Sequence, residues 1–112
     1  MKIVHIGTGA DGESHVLGVT APEFTELNGR RTKAEGAADI SFMKREVGTI
    51  DFHPAPRRQY MLYLTARVQI GFGDGSSVIM EPGDALLAED TTGHGHTSHV
   101  LQAGVCAVVP LS

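Results

Sequence analysis

Tyr60-Met61-Leu62-Tyr63-Leu64-Thr65-Ala66-Arg67-Val68-Gln69-Ile70-Gly71-Phe72 is the stretch that decides the fold class. Tyr60, Leu62, Leu64, Ala66, Val68, Ile70 and Phe72 recur at every second position, the period of a pleated strand. A helix of this length would not sustain that period, so one long strand is expected. Gly73-Asp74-Gly75-Ser76 then supplies a tight hairpin, with Ser77 to Met80 as the returning strand. Pro82-Gly83-Asp84 marks a second turn.

Outward from this hairpin, further strands are expected at Lys2 to Ile6, Asp39 to Arg45, Thr49 to Phe52, Ala85 to Ala88, Ser98 to Leu101 and Val105 to Val109. The 14 glycines fall between these short apolar runs, as turns do, and do not gather into a linker. Pro22 to Leu27 is the one helix-like stretch, and it is worth one turn at most. About eight short strands favour an all-β sandwich or small barrel, either of which protects strand edges.

At 112 residues the chain is expected to form a single domain with one core and one principal site. The formal net charge of −4 argues against nucleic acid, as does the shortness of the basic clusters Arg30-Arg31-Lys33, Lys44-Arg45 and Arg57-Arg58. The first two clusters read as solvated surface. Cys106 stands alone among Val105, Ala107, Val108 and Val109, which suits a buried inert thiol in a reducing compartment. No run is long and apolar enough for a bilayer span or a signal segment, and a cytoplasmic location is the expectation.

The stretch from Val47 to Val109 resembles the core of the small single-domain cupins, whose two sequence motifs meet inside a jelly-roll barrel. Gly48 opens the first motif and His53 takes its first histidine position. Ala55 stands at the second histidine position and Gln59 at that of the glutamate, with Ala66 where a glycine is usual. Pro82-Gly83-Asp84 and Ala85-Leu86-Leu87-Ala88 fit the second motif. The longer Glu89-Asp90-Thr91-Thr92-Gly93 turn then leads to His94-Gly95-His96, where His96 aligns best as ligand and His94 competes.

The resemblance implies an all-β, cupin-type jelly roll, residues His53, Gln59, His96 and His94 as candidate metal ligands, and a homodimer. The metal would be divalent nickel, iron, manganese, copper or zinc. A catalytic divalent site usually uses three protein ligands, and the exchanges to Ala55 and Gln59 weaken the set. Without metal, His53 and His96 can serve as general acid and base near neutral pH. His53 reads equally well as a hydrogen-bonded histidine anchoring its strand, and His94 and His99 as loop histidines.

If the pleat runs through Pro54 and Pro56, then His53, Ala55, Gln59, Met61, Tyr63 and Thr65 share the interior face. Met61 and Tyr63 would pack the core and touch a ligand at the pocket mouth. Either Arg57 or Arg58 could reach in to meet a carboxylate or phosphate, with Arg58 the candidate for substrate. Glu89 and Asp90 could orient an imidazole. Asp11-Gly12-Glu13-Ser14-His15 is a compact polar group near the N-terminus that reads most simply as a surface turn. The functional expectation is a small polar metabolite bound in the barrel, with isomerase or lyase chemistry on histidines. The alternative is a non-catalytic binding or structural dimer with a degenerate site.

Overall fold

Short apolar runs punctuated by glycine turns fold into ten strands and no helix in the computed structural model, which covers residues 1–112. They are β1 (Ile3–Thr8), β2 (Ser14–Thr20), β3 (Ser41–Arg45), β4 (Gly48–His53), β5 (Gln59–Tyr63), β6 (Arg67–Gly71), β7 (Ser77–Met80), β8 (Ala85–Glu89), β9 (His96–Gln102) and β10 (Gly104–Pro110). Two sheets result, one in the order β2-β1-β8-β5-β10-β3 and the other β4-β9-β6-β7. They face one another as a sandwich and do not close into a barrel, since β2, β3, β4 and β7 each keep one unpaired edge.

Eight of the strands form a nested antiparallel series. β6 pairs β7, β5 pairs β8, β4 pairs β9 and β3 pairs β10, so the chain behaves as one long hairpin bent across two sheets. The β1–β2 hairpin joins the outer edge of β8, with β1 parallel to it. Val4, Ile6, Val68, Ile70, Met80 and Val100 fill the core between the sheets. Each such side chain stabilises the fold by about 1.5–3 kcal/mol relative to exposure.

The long strand expected over 60–72 is two strands in different sheets, separated by a bend at Leu64-Thr65-Ala66. Across that bend the buried face changes parity. Gln59 and Tyr63 point inward in β5, whereas Val68 and Ile70 do so in β6. Thr65 is therefore exposed and not part of the interior row. The even-numbered residues form no single outer face for a partner to cover: Val68 and Ile70 are core, and Tyr60 and Leu62 lie half-buried beside the 20–35 segment. β2 carries no alternation strong enough to have been expected, because most of its side chains are exposed on both faces. Around Pro22 to Leu27 there is no helical turn. Instead Leu27 and Asn28 take left-handed φ values of 53° and 56° in a turn closed by Glu26 and Arg31.

The Pro82-Gly83-Asp84 turn clamps the N-terminus to the sheet. Gly83 N–H donates to the Tyr63 carbonyl at 2.6 Å, and Asp84 accepts hydrogen bonds from Lys2 N (3.0 Å), Lys2 Nζ (2.6 Å) and Glu81 N (2.9 Å). Burial alone would raise the Asp84 carboxyl, but these donors together hold it below its ordinary value of 3.8. A depressed carboxylate stabilises the fold above its unfolded value, and that contribution is lost as pH falls through the folded one. Urea midpoints measured from neutral pH down through the acid range should therefore fall less steeply in Asp84→Asn, by up to about one proton per molecule. Equal slopes would show that the turn carries no such linkage.

Candidate functional site

Between the sheets lies a cavity of about 280 Å³. Its floor comes from inward residues of adjacent strands: Met61 sits in register with Leu86 on one side and Val108 on the other, and Gln59 with Ala88. His96 and Ser98 of β9 face them from the second sheet. The cavity reaches the surface at the seam between edge strands β3 and β4, where the lining residues Met43 and Ile50 are exposed. A larger, open groove of about 800 Å³ runs outside between the 20–35 segment and Ile3, Tyr60, Leu62 and Ala85, and the histidines take no part in it.

Two histidines meet at one end of the cavity. His53 of β4 and His96 of β9 are register partners, with ring centroids 4.8 Å apart and planes tilted by 55°. A shift of register between Ile50 and His53 lets both of these residues line the cavity although their numbers differ in parity. His96 Nδ1 donates to Asp90 Oδ2 at 2.5 Å, and His53 Nδ1 donates to the Asp51 carbonyl at 2.8 Å. A carbonyl and a carboxylate both accept, so each ring carries a proton on Nδ1, and in the neutral tautomer this defines Nε2 is the acceptor.

The Asp11-Gly12-Glu13-Ser14-His15 group buttresses this arrangement from behind. Ser14 Oγ donates to the same Asp90 Oδ2 at 2.6 Å, and both Ser14 and Asp90 are 0% exposed. Asp90 Oδ1 has no protein partner. Glu13 bridges to Gly95 and its carboxylate accepts from His94 Nδ1 at 2.9 Å, while Gly12 O accepts from His94 N–H. Gly95 has φ of 83°, and a Cβ there would come within 2.0 Å of the His53 carbonyl, so only glycine permits this approach.

That kink separates His94 from His96. His94 is half-exposed, stacked on Phe52 at 3.9 Å and turned towards Glu13, outside the cavity. His99 is exposed on β9, where its ring meets Thr49. Arg58 also lies outside, because inward Gln59 places its neighbours outward. Its guanidinium donates to Glu89 at 2.5 Å on the outer surface, and Glu89 also contacts His5. Glu89 is therefore committed to that outer pair, and Asp90 is the carboxylate that orients an imidazole. Of the residues expected at the site, the cavity gathers His53, Gln59, Met61, Tyr63 and His96.

One lining residue was not anticipated. Arg45, read as half of a solvated pair, is only 6% exposed and points inward, while Lys44 faces water beside Glu46. Successive side chains of a strand point to opposite faces, so Lys44 and Arg45 diverge, and Arg45 is the one residue of β3 that is buried. Burial drives the Tyr63 hydroxyl well above its usual range and pushes the Cys106 thiol up, and the Arg45 charge pulls both the other way. The polar ends of Gln59, Tyr63 and Ser98 end at the cavity surface and not on a protein partner.

The donor set does not fit a catalytic divalent metal. Two imidazole nitrogens and the neutral Gln59 amide fall short of three strong ligands, no three His, Cys, Asp or Glu side chains converge, and Arg45 opposes a cation in the same space. Among known proteins, no family model matches the chain and no curated protein is significantly similar to it in sequence.

Removing the Ser14 hydroxyl leaves the buried Asp90 carboxylate with a single side-chain donor. Ser14→Ala should lower unfolding free energy by about 1–3 kcal/mol in guanidinium titrations, against less than about 0.5 kcal/mol for the exposed Ser77→Ala. Equal effects would mean that Ser14 does not support the carboxylate.

Proposed function

We propose that this protein is a cupin-like jelly roll that binds a small polar metabolite in the cavity between its sheets, without a resident metal, and that His96 can exchange a proton with the bound molecule. The observation that carries this reading is the convergence of His53, His96, Gln59, Tyr63 and Ser98 on one cavity that opens to the surface and is otherwise lined mainly by apolar side chains, the usual character of a ligand pocket. The nested pairing of β3 through β10 across two sheets supports the jelly-roll assignment.

His96 is the proton-transfer residue in this reading. Asp90 fixes its tautomer and stabilises the imidazolium that forms when Nε2 takes a proton from the ligand. The protonated His96 Nε2 can then return that proton to another atom of the ligand, while His53, beside it, offers a second Nε2 that can accept one. Together they would suit isomerase or lyase chemistry. Gln59 and Tyr63 orient the molecule and Met61 packs against it.

Elemental analysis of protein purified without tag or chelator separates this from a metal-dependent site. The expected result is well below one metal per chain, with ligand-observed NMR detecting small polar molecules that lose binding in the cavity-filling Ala88→Phe variant. Near-stoichiometric nickel, iron, manganese, copper or zinc that vanishes in both His53→Ala and His96→Ala would replace the metal-free reading.

The same resemblance carries a homodimer, and Phe42 and Val47, exposed along the β3–β4 edge, offer it an apolar surface. Light scattering at micromolar concentration should give twice the chain mass of 11.9 kDa. A monodisperse monomer would remove the dimer from the proposal.

A further inference from the structure

Five of the six arginines lie at the surface, and Arg30 and Arg31 are solvated there without a carboxylate partner. Arg57, Arg58 and Arg67 are half-exposed, and each pairs with a carboxylate: Asp39, Glu89 and Glu81 respectively. Arg45 is buried and pairs with none. Stability would favour the reverse, because an exposed pair contributes little whereas an unpaired buried cation is costly. The register places Arg45 opposite Gly104, which offers no side chain to meet it. Its polar neighbours are the neutral hydroxyl of Tyr63 and the thiol of Cys106.

The cavity that Arg45 enters contains no carboxylate. Apart from the Tyr63 hydroxyl, which burial holds neutral, its titratable lining residues are Arg45, His53 and His96, all cationic when charged. Nine of its fifteen lining residues are hydrophobic, so an anion entering it needs an apolar body as well as a charged head. A single guanidinium fork matches one carboxylate in two parallel hydrogen bonds. A phosphate dianion carries a second charge, and Arg45 is the one permanent cation in the lining.

We propose that the ligand is an amphipathic monocarboxylate whose head pairs with Arg45 and whose hydrocarbon body lies along Met61, Leu86 and Val108. This rests on the reading that the cavity holds a small molecule and names its class. The carboxylate supplies the counter-charge that the chain itself omits, and Tyr63 stands beside Arg45 to donate to it. The head at Arg45 leaves the other end of the ligand towards the His53–His96 pair.

Butyrate and its neutral isostere butyramide are the probes, with inorganic phosphate as a third, and binding is read by NMR shifts of cavity residues and by thermal midpoint. Butyrate should bind wild type at least about thirtyfold more tightly than butyramide does, and Arg45→Met and Arg45→Gln should abolish that preference. The ligand-free Arg45→Met protein should also melt above wild type, because a buried charge without a partner is gone. Equal binding of butyrate and butyramide overturns the carboxylate assignment while leaving the cavity as a ligand site. Binding of phosphate in preference to butyrate also overturns it. A ligand-free Arg45→Met and Arg45→Gln pair that both melt below wild type, or fail to fold, overturns it by making Arg45 a structural residue. If none of the three probes moves the cavity resonances, the carboxylate assignment and the ligand cavity fall together.

Discussion

A carboxylate with no exposed surface must find donors inside the protein, and Asp90 finds them on two parts of the chain far apart in sequence. Ser14, at the start of β2, and His96, at the start of β9, donate to the same oxygen. The N-terminal hairpin, which could otherwise be an appendage on the edge of β8, is thereby tied to the loop that carries the histidine. Around that tie the rest of the site is fixed: Gly95 brings its backbone against His53, Glu13 holds His94 away, and the two imidazoles are left with matching tautomers facing the cavity. The turn that looked like ordinary surface, Asp11 to His15, is the back wall of the candidate site.

Much of the all-β architecture could be read from residue patterns because glycine turns and short apolar runs mark strand ends directly. The β7 boundaries, Ser77–Met80, coincide with the expected strand, and β8 and β10 differ from theirs by a residue or so. The departure with the widest structural consequence is the long strand. Both parities are apolar in Gln59–Tyr63, where one face meets the cavity and the other the 20–35 segment, so the pattern runs on smoothly into β6. No proline or glycine sits at Leu64-Thr65-Ala66 to announce the bend. The signal lies elsewhere, at Gly104, where a Cβ would come within 2.5 Å of the Thr65 and Ala66 backbone.

The site was legible in part for a similar reason. His53, Gln59, Met61, Tyr63 and His96 could be grouped by alternation and by the resemblance of their spacing to two motifs. Arg58 and His94 could not be excluded by alternation alone, since the first depends on where β5 begins and the second on a positive φ at Gly95. Arg45 was missed because charge was taken as a sign of exposure. At the end of β3 the pair Lys44-Arg45 sends one charge outward and one inward, and the inward one meets no acid.

Nested pairing has a kinetic corollary. Closing the β6–β7 hairpin spans only a few residues, whereas β3 and β10 come together across most of the domain, so loop-closure entropy orders the series from the inside out. β3 is the last of the eight to dock, and it brings Arg45 with it. A chain stalled just before that step has both histidines in place but no guanidinium wall, and therefore no complete cavity. A molecule that fits only the finished cavity would bind the native state alone, and would draw the folding equilibrium towards completion by mass action.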